Sequence, residues 1–136
     1  MRTGVEMARK MRILVVDDHQ MFRETLRQIL NAQNDMEVIA EAADGRSAVK
    51  QVQKFRPDVV MMDIRMPVVN GIDATRQIKS RFPETKIIAL SSHSDRNYVE
   101  KMLQAGASDY LSKISSRSDL IKCIYTVWTG EQSKVH

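Results

Sequence analysis

The chain is predicted to be an α/β protein: five strand–helix units whose strands form one parallel sheet, sandwiched between two layers of helices. Three observations predict this. Short uninterrupted apolar runs alternate with segments that repeat apolar residues at helical spacing. The connections between them are short throughout. Four of the runs also end in polar residues: Val59-Val60-Met61-Met62 leads into Asp63 and Ile13-Leu14-Val15-Val16 into Asp17-Asp18. Ile87-Ile88-Ala89-Leu90 leads into Ser91-Ser92, and Tyr110-Leu111-Ser112 into Lys113.

Residues 1–11 have no useful periodicity and are read as a flexible basic arm ahead of a folded unit over 12–130. Ile13 to Val16 is the first strand, because a continuous apolar run suits a strand covered on both faces. Phe22, Thr25, Leu26, Ile29 and Leu30 share one face at helical spacing, which predicts a helix over 19–32. Residues 31–35 are polar turn material, and Met36-Glu37-Val38-Ile39-Ala40 reads as the second strand. Asp44 caps a helix whose inner face is Ala48, Val49, Val52 and Phe55. Pro57 opens the third strand, which ends at Asp63, and a loop runs from Met66 to Asn70.

Gly71 begins a helix with Ile72, Thr75, Ile78 and Phe82 inward, and Pro83 ends it. Lys86 to Leu90 is the fourth strand. Asp95 caps the next helix, whose stripe is Val99, Met102 and Leu103 and whose stop is Gly106. Ser108 to Leu111 is the last strand. The final helix carries Leu120, Cys123, Ile124 and Val127 on one face, with Gly130 beyond its end. Residues 131–136 read as a linker stub or tail. Right-handed crossovers leave few topologies for five such units, and the order 2-1-3-4-5 is the common one.

Composition narrows the function classes. At 136 residues the chain is one domain, large enough to bury about two-thirds of its unfolded surface. No apolar run approaches the roughly 20 residues of a membrane span, and the first residues hold no apolar signal-peptide core. A single Cys123 suits a reducing compartment. A cytoplasmic location without a membrane partner is therefore expected. The net charge of +4 comes mostly from residues 1–12, where Arg2, Arg9, Lys10 and Arg12 face only Glu6. The remainder, with 17 basic and 16 acidic residues, is nearly neutral and shows no concentrated basic face of the kind that binds nucleic acid.

In the order 2-1-3-4-5 the strands ending at Asp17-Asp18 and Asp63 are neighbours at the topological switch point, where open α/β sheets place ligands. Each residue has a bland reading taken alone. Asp17-Asp18 suits a helix N-cap, Asp63 a turn, Ser91 a strand-end cap, and Lys113 a surface lysine. Their coincidence at four strand ends favours one site. Crowded carboxylates repel unless a cation joins them, and an all-oxygen donor set suits Mg²⁺ (or Mn²⁺). Zinc is not indicated, because Cys123 falls on a core stripe and His19, His93 and His136 are scattered. Lys113 and the Ser91 hydroxyl are suited to phosphoryl oxygens. The economical chemistry is an aspartate nucleophile that accepts a phosphoryl group, with Mg²⁺ and Lys113 balancing charge.

The motifs Val15-Val16-Asp17-Asp18, Met62-Asp63-Ile64-Arg65-Met66-Pro67 with Gly71, Leu90-Ser91-Ser92 and Tyr110-Leu111-Ser112-Lys113 resemble the receiver domain of bacterial two-component response regulators. The likeness runs from about Met11 to Gly130. The wording Asp18-His19-Gln20-Met21-Phe22-Arg23 and Leu90-Ser91-Ser92-His93-Ser94-Asp95 is most similar to the NarL/FixJ type of transcriptional regulator.

The resemblance implies a flavodoxin/CheY-like fold and a switch rather than an enzyme. Asp63 would be the phosphoacceptor, served by a sensor histidine kinase. Asp18, Asp63 and the Arg65 backbone carbonyl would hold the metal, with Asp17 supporting it through water. Lys113 would contact the phosphoryl group. Ser91 would move toward it, and Tyr110 would turn inward in response. The altered surface would govern homodimerisation. DNA binding would come only through a C-terminal helix-turn-helix domain absent from this chain. Most receivers carry proline after the conserved lysine, whereas Ile114 stands here, so no cis peptide is expected at that joint.

Two rivals belong to other classes. A phosphatase of the haloacid-dehalogenase type needs a second Asp two residues after its nucleophile, where this chain has Arg65. A phosphorylation-independent interaction module would not need Asp17, Asp18, Asp63, Ser91 and Lys113 together. A free-standing receiver in a relay is a third possibility, within the switch class.

Overall fold

The computed structural model describes residues 9–92 and 96–130. Its elements alternate without exception: β1 (Met11–Val16), α1 (Gln20–Asn31), β2 (Met36–Ala42), α2 (Gly45–Phe55), β3 (Val59–Asp63), α3 (Gly71–Arg81), β4 (Lys86–Ser91), α4 (Arg96–Ala105), β5 (Asp109–Ser112) and α5 (Arg117–Thr129). The strands form one parallel sheet in the order β2-β1-β3-β4-β5, as the sequence predicts. Among the described residues no helix is long and apolar enough to cross a membrane.

The two-residue period of the strands divides the core. Leu14, Val16, Val60, Met62, Ile87 and Ala89 point to one face, where Ala48 and Val52 of α2, Ile78 of α3 and Met102 of α4 cover them. Met11, Ile13, Val15, Val59, Met61, Ile88 and Leu90 point to the other, under Leu26 and Leu30 of α1 and Leu120, Ile124 and Val127 of α5. A sheet buried on both faces explains why its central strands read as unbroken apolar runs rather than as alternation. Each large side chain fully buried here contributes about 2 kcal/mol relative to exposure.

Helix ends follow local chemistry. Asp44 accepts a hydrogen bond from Ser47 N–H at 2.8 Å and so caps α2 as expected. Asn70 does the same for α3 and Ser116 for α5, two caps the sequence reading did not assign. Gly106 and Gly130 follow α4 and α5 with positive φ, the left-handed geometry that ends a helix. Asp95, expected to cap α4, and His93 lie outside the described residues, as do 1–8 of the arm and the 131–136 tail.

Several expectations are corrected. Met11, assigned to the arm, is a fully buried residue of β1, and Arg9 is tied to Asp58 at 2.9 Å. β2 continues to Ala42, and Asp17 N–H donates to the Ala42 carbonyl. Thr25 is exposed, its hydroxyl satisfied by the Met21 carbonyl of its own helix, so it has no need of burial. Leu103 is 39% exposed, because α4 meets the core along Val99 and Met102 and leaves Leu103 on its shoulder.

Candidate functional site

Strand register brings the polar ends level. Val16 pairs with Met62, so the next residues, Asp17 and Asp63, stand side by side. Leu90 pairs with Asp63, and Ser91 with Ser112, which carries Ser91 and Lys113 to the same edge. Lys113 N–H donates to the Ser91 carbonyl at 2.9 Å, which fixes the start of the last loop against β4.

The Asp17, Asp63 and Lys113 side chains converge. The Lys113 ammonium lies 2.7 Å from Asp17 Oδ2 and 3.3 Å from Asp63 Oδ1. Asp17 is wholly buried and Asp63 is 2% exposed, whereas the Asp18 side chain reaches solvent. Neither Asp17 Oδ2 nor Asp63 Oδ2 completes a hydrogen bond with a described residue; the Asp17 contact is an ion pair without hydrogen-bond alignment. Three carboxylates against one ammonium leave two negative charges uncompensated.

The electrostatics follow from that arrangement. Burial, and then the Asp17 carboxylate, push the Asp63 pKa up to about 7, with Lys113 pulling the other way. At Lys113 burial opposes the charged form, yet the close carboxylates of Asp17 and Asp63 outweigh it, so its pKa is raised. Three carboxylates gathered around an orphaned buried Asp63 oxygen fit a hard divalent cation.

The remaining predicted residues sit around this centre. The Ser91 hydroxyl is buried and turned back to the Leu111 carbonyl at 3.5 Å. Tyr110 is half-buried on β5 and packs against the core beneath α2, α3 and α4. Arg65 is exposed, its guanidinium 5.7 Å from the Tyr98 ring of α4.

The loop after β3 is clamped twice. Gly71 N–H donates to the Ile64 carbonyl, and Gly45 N–H to the Val69 carbonyl, both at 2.8 Å. A Cβ at Gly71 would stand 2.1 Å from the Asp63 carbonyl oxygen, and one at Gly45 2.1 Å from that of Val69. Between the clamps Val68 holds φ at 70°, a left-handed conformation that costs a β-branched residue about 1–3 kcal/mol.

Two participants escaped the sequence reading. His19, judged scattered, places Nδ1 3.1 Å from both Asp17 Oδ1 and Asp18 Oδ1. Its adjacency to the acidic pair was the available signal. Phe22, assigned only to the core stripe, sets its ring 5.0 Å beneath the Lys113 ammonium, a cation–π contact.

The family model described as the response regulator receiver domain matches residues 13–125. The chain belongs to that family. Domains of this family bind Mg²⁺ at an acidic pocket, and this receiver has the matching aspartate cluster. The receiver is 45% identical over 121 residues to the transcriptional regulatory protein DegU of Brevibacillus brevis, covering 89% of this chain and 51% of the relative. It thus spans about half the length of the curated relatives it matches. Among solved structures it resembles a LuxR-family two-component response regulator from Aurantimonas, with TM-score 0.85, 33% identity, and 92% and 89% of the two chains covered. The receiver domain of the putative regulator NarL from Mycobacterium tuberculosis gives TM-score 0.84 at 32% identity, covering 90% and 98%. These likenesses place the receiver in the LuxR/NarL type of two-component regulator.

Proposed function

We propose that Asp63 is the phosphoacceptor of this receiver, phosphorylated by a sensor histidine kinase, and that residues 12–130 form the switching unit. The observation that carries this reading is the buried Asp63 carboxylate, with one oxygen unpartnered and the other 3.3 Å from Lys113. An Asp63 oxygen would attack phosphorus as the phosphorus–nitrogen bond of the donor phosphohistidine breaks, and the departing imidazole takes up a proton. Mg²⁺, when bound, supplies positive charge that offsets the carboxylates and the incoming phosphoryl oxygens. Asp18, Asp63 and the Arg65 backbone carbonyl would hold it, with Asp17 acting through water.

Lys113 is already placed to follow a phosphoryl oxygen, since both of its present partners are carboxylates of the same pocket. The weak 3.5 Å bond from Ser91 to Leu111 leaves its hydroxyl little to lose by turning toward the phosphoryl group. Tyr110, on the strand paired with β4, would then move inward. In this reading the receiver catalyses only its own phosphorylation and dephosphorylation, in a cytoplasmic setting. In the intact regulator the altered surface would drive dimerisation and so control DNA binding and transcription by a further domain.

Intact-mass spectrometry after incubation with Mg²⁺ and acetyl phosphate tests the first step. One phosphoryl adduct is expected on the parent and none on Asp63→Asn. A folded parent with no adduct would overturn the proposal.

A further inference from the structure

His19 is the only histidine among the described residues, and it stands inside the acidic cluster. One donor atom each from Asp17, Asp18, His19 and Asp63 all lie within 4.8 Å of one another. Nδ1 of His19 is 3.1 Å from an oxygen of Asp17 and 3.1 Å from one of Asp18. An octahedral shell with bonds of about 2.1 Å sets adjacent donors about 3.0 Å apart, so the 3.1 Å between His19 Nδ1 and Asp18 Oδ1 matches neighbouring ligands on one ion. The buried, unpartnered Asp63 Oδ2 independently marks this pocket as one that takes a positive group.

The imidazole is not committed to capping or to the core. His19 precedes α1 as its N-cap residue, yet its side chain makes no capping bond. Its side chain is 71% exposed, so the ring is not held by packing.

We propose that His19 supplies, through Nδ1, a nitrogen ligand to the divalent cation held by Asp18 and Asp63. The inference rests on the cation-site reading given under the proposed function. Its consequence is ion choice: Mg²⁺ takes oxygen donors, whereas imidazole favours manganese, cobalt and nickel-class ions. The competing role for the same contacts is a hydrogen bond from Nδ1–H to the two carboxylates. The roles separate cleanly. A hydrogen-bond donor affects every ion alike, whereas a ligand affects nitrogen-seeking ions selectively. A bare preference for Ni²⁺ would not decide the matter, since almost any such site shows it.

The experiment is calorimetric titration of the full chain and of His19→Ala with Mg²⁺ and with Ni²⁺. Pulsed electron paramagnetic resonance of the Mn²⁺-loaded parent and variant accompanies it. His19→Ala should weaken Ni²⁺ about tenfold or more while leaving Mg²⁺ within about twofold. Nitrogen hyperfine coupling to Mn²⁺ should be present in the parent and lost in the variant. Equal changes for both ions, or Mn²⁺ bound without nitrogen coupling in the parent, would overturn the role of His19 alone. A folded parent that binds none of the three ions would bring down the cation-site reading itself.

Discussion

Met62 and Asp63 are consecutive residues of β3, both hidden from solvent, and they differ in what surrounds them. Met62 sits among Val16, Val60 and Ala89, where every neighbour gains from its burial. Asp63 faces a second buried carboxylate and keeps one oxygen without a partner. The interior of the sheet is arranged for stability, and its carboxyl edge holds groups that stability alone would not place there. One residue along the strand separates the two regimes.

Substitutions at these two positions should therefore act with opposite sign. Met62→Ala should cost about 3 kcal/mol in denaturant unfolding, by lost burial and a residual cavity. Mg²⁺ at one hundred times its dissociation constant should stabilise the parent by about 2.7 kcal/mol, read as a rise in melting temperature. The same addition should give Asp63→Asn much less, because that variant lacks one of the charges the ion offsets. A full response in Asp63→Asn would break the contrast.

Without metal, Asp63→Asn should be more stable than the parent by about 2 kcal/mol at mildly alkaline pH. The full linkage of about 1.4 kcal/mol per pKa unit is reduced because the site relaxes and admits water. The unfolded carboxyl titrates near about 4, whereas the folded one titrates at about 7. Between those values the folded chain keeps the proton, so rising pH withdraws stability from the parent until about 7 and no further. The advantage of the variant should grow over that window and then level off; a flat difference would show that charge burial is not its source. Smallest, Asp44→Ala should cost about 1 kcal/mol through the lost cap of α2, with no dependence on Mg²⁺.

The same contrast explains what the sequence made legible. Alternating buried runs set strand number and order, and each run's last residue marked the edge where Asp17, Asp63, Ser91 and Lys113 meet. Those inferences need only backbone periodicity and strand direction. His19 and Phe22 lie off the strands, so their approach to the site depends on how the turn after β1 bends and how α1 rotates on the sheet. No two- or three-residue period encodes that. Thr25 and Leu103 were misplaced for a related reason: spacing marks a helical face, but the width of the face that is buried is set by the sheet beneath.

The twin clamps on the loop after β3 bear on how this part of the chain can vary. Gly71 is tied to Ile64 and Gly45 to Val69, with no room for a methyl at either glycine. Adding or removing a single residue between Ile64 and Asn70 would shift one carbonyl out of reach of its amide. An exposed side chain such as that of Val68 can be replaced there, while the number of residues cannot change. Descendants of this sequence should differ along the loop by replacement and not by insertion or deletion.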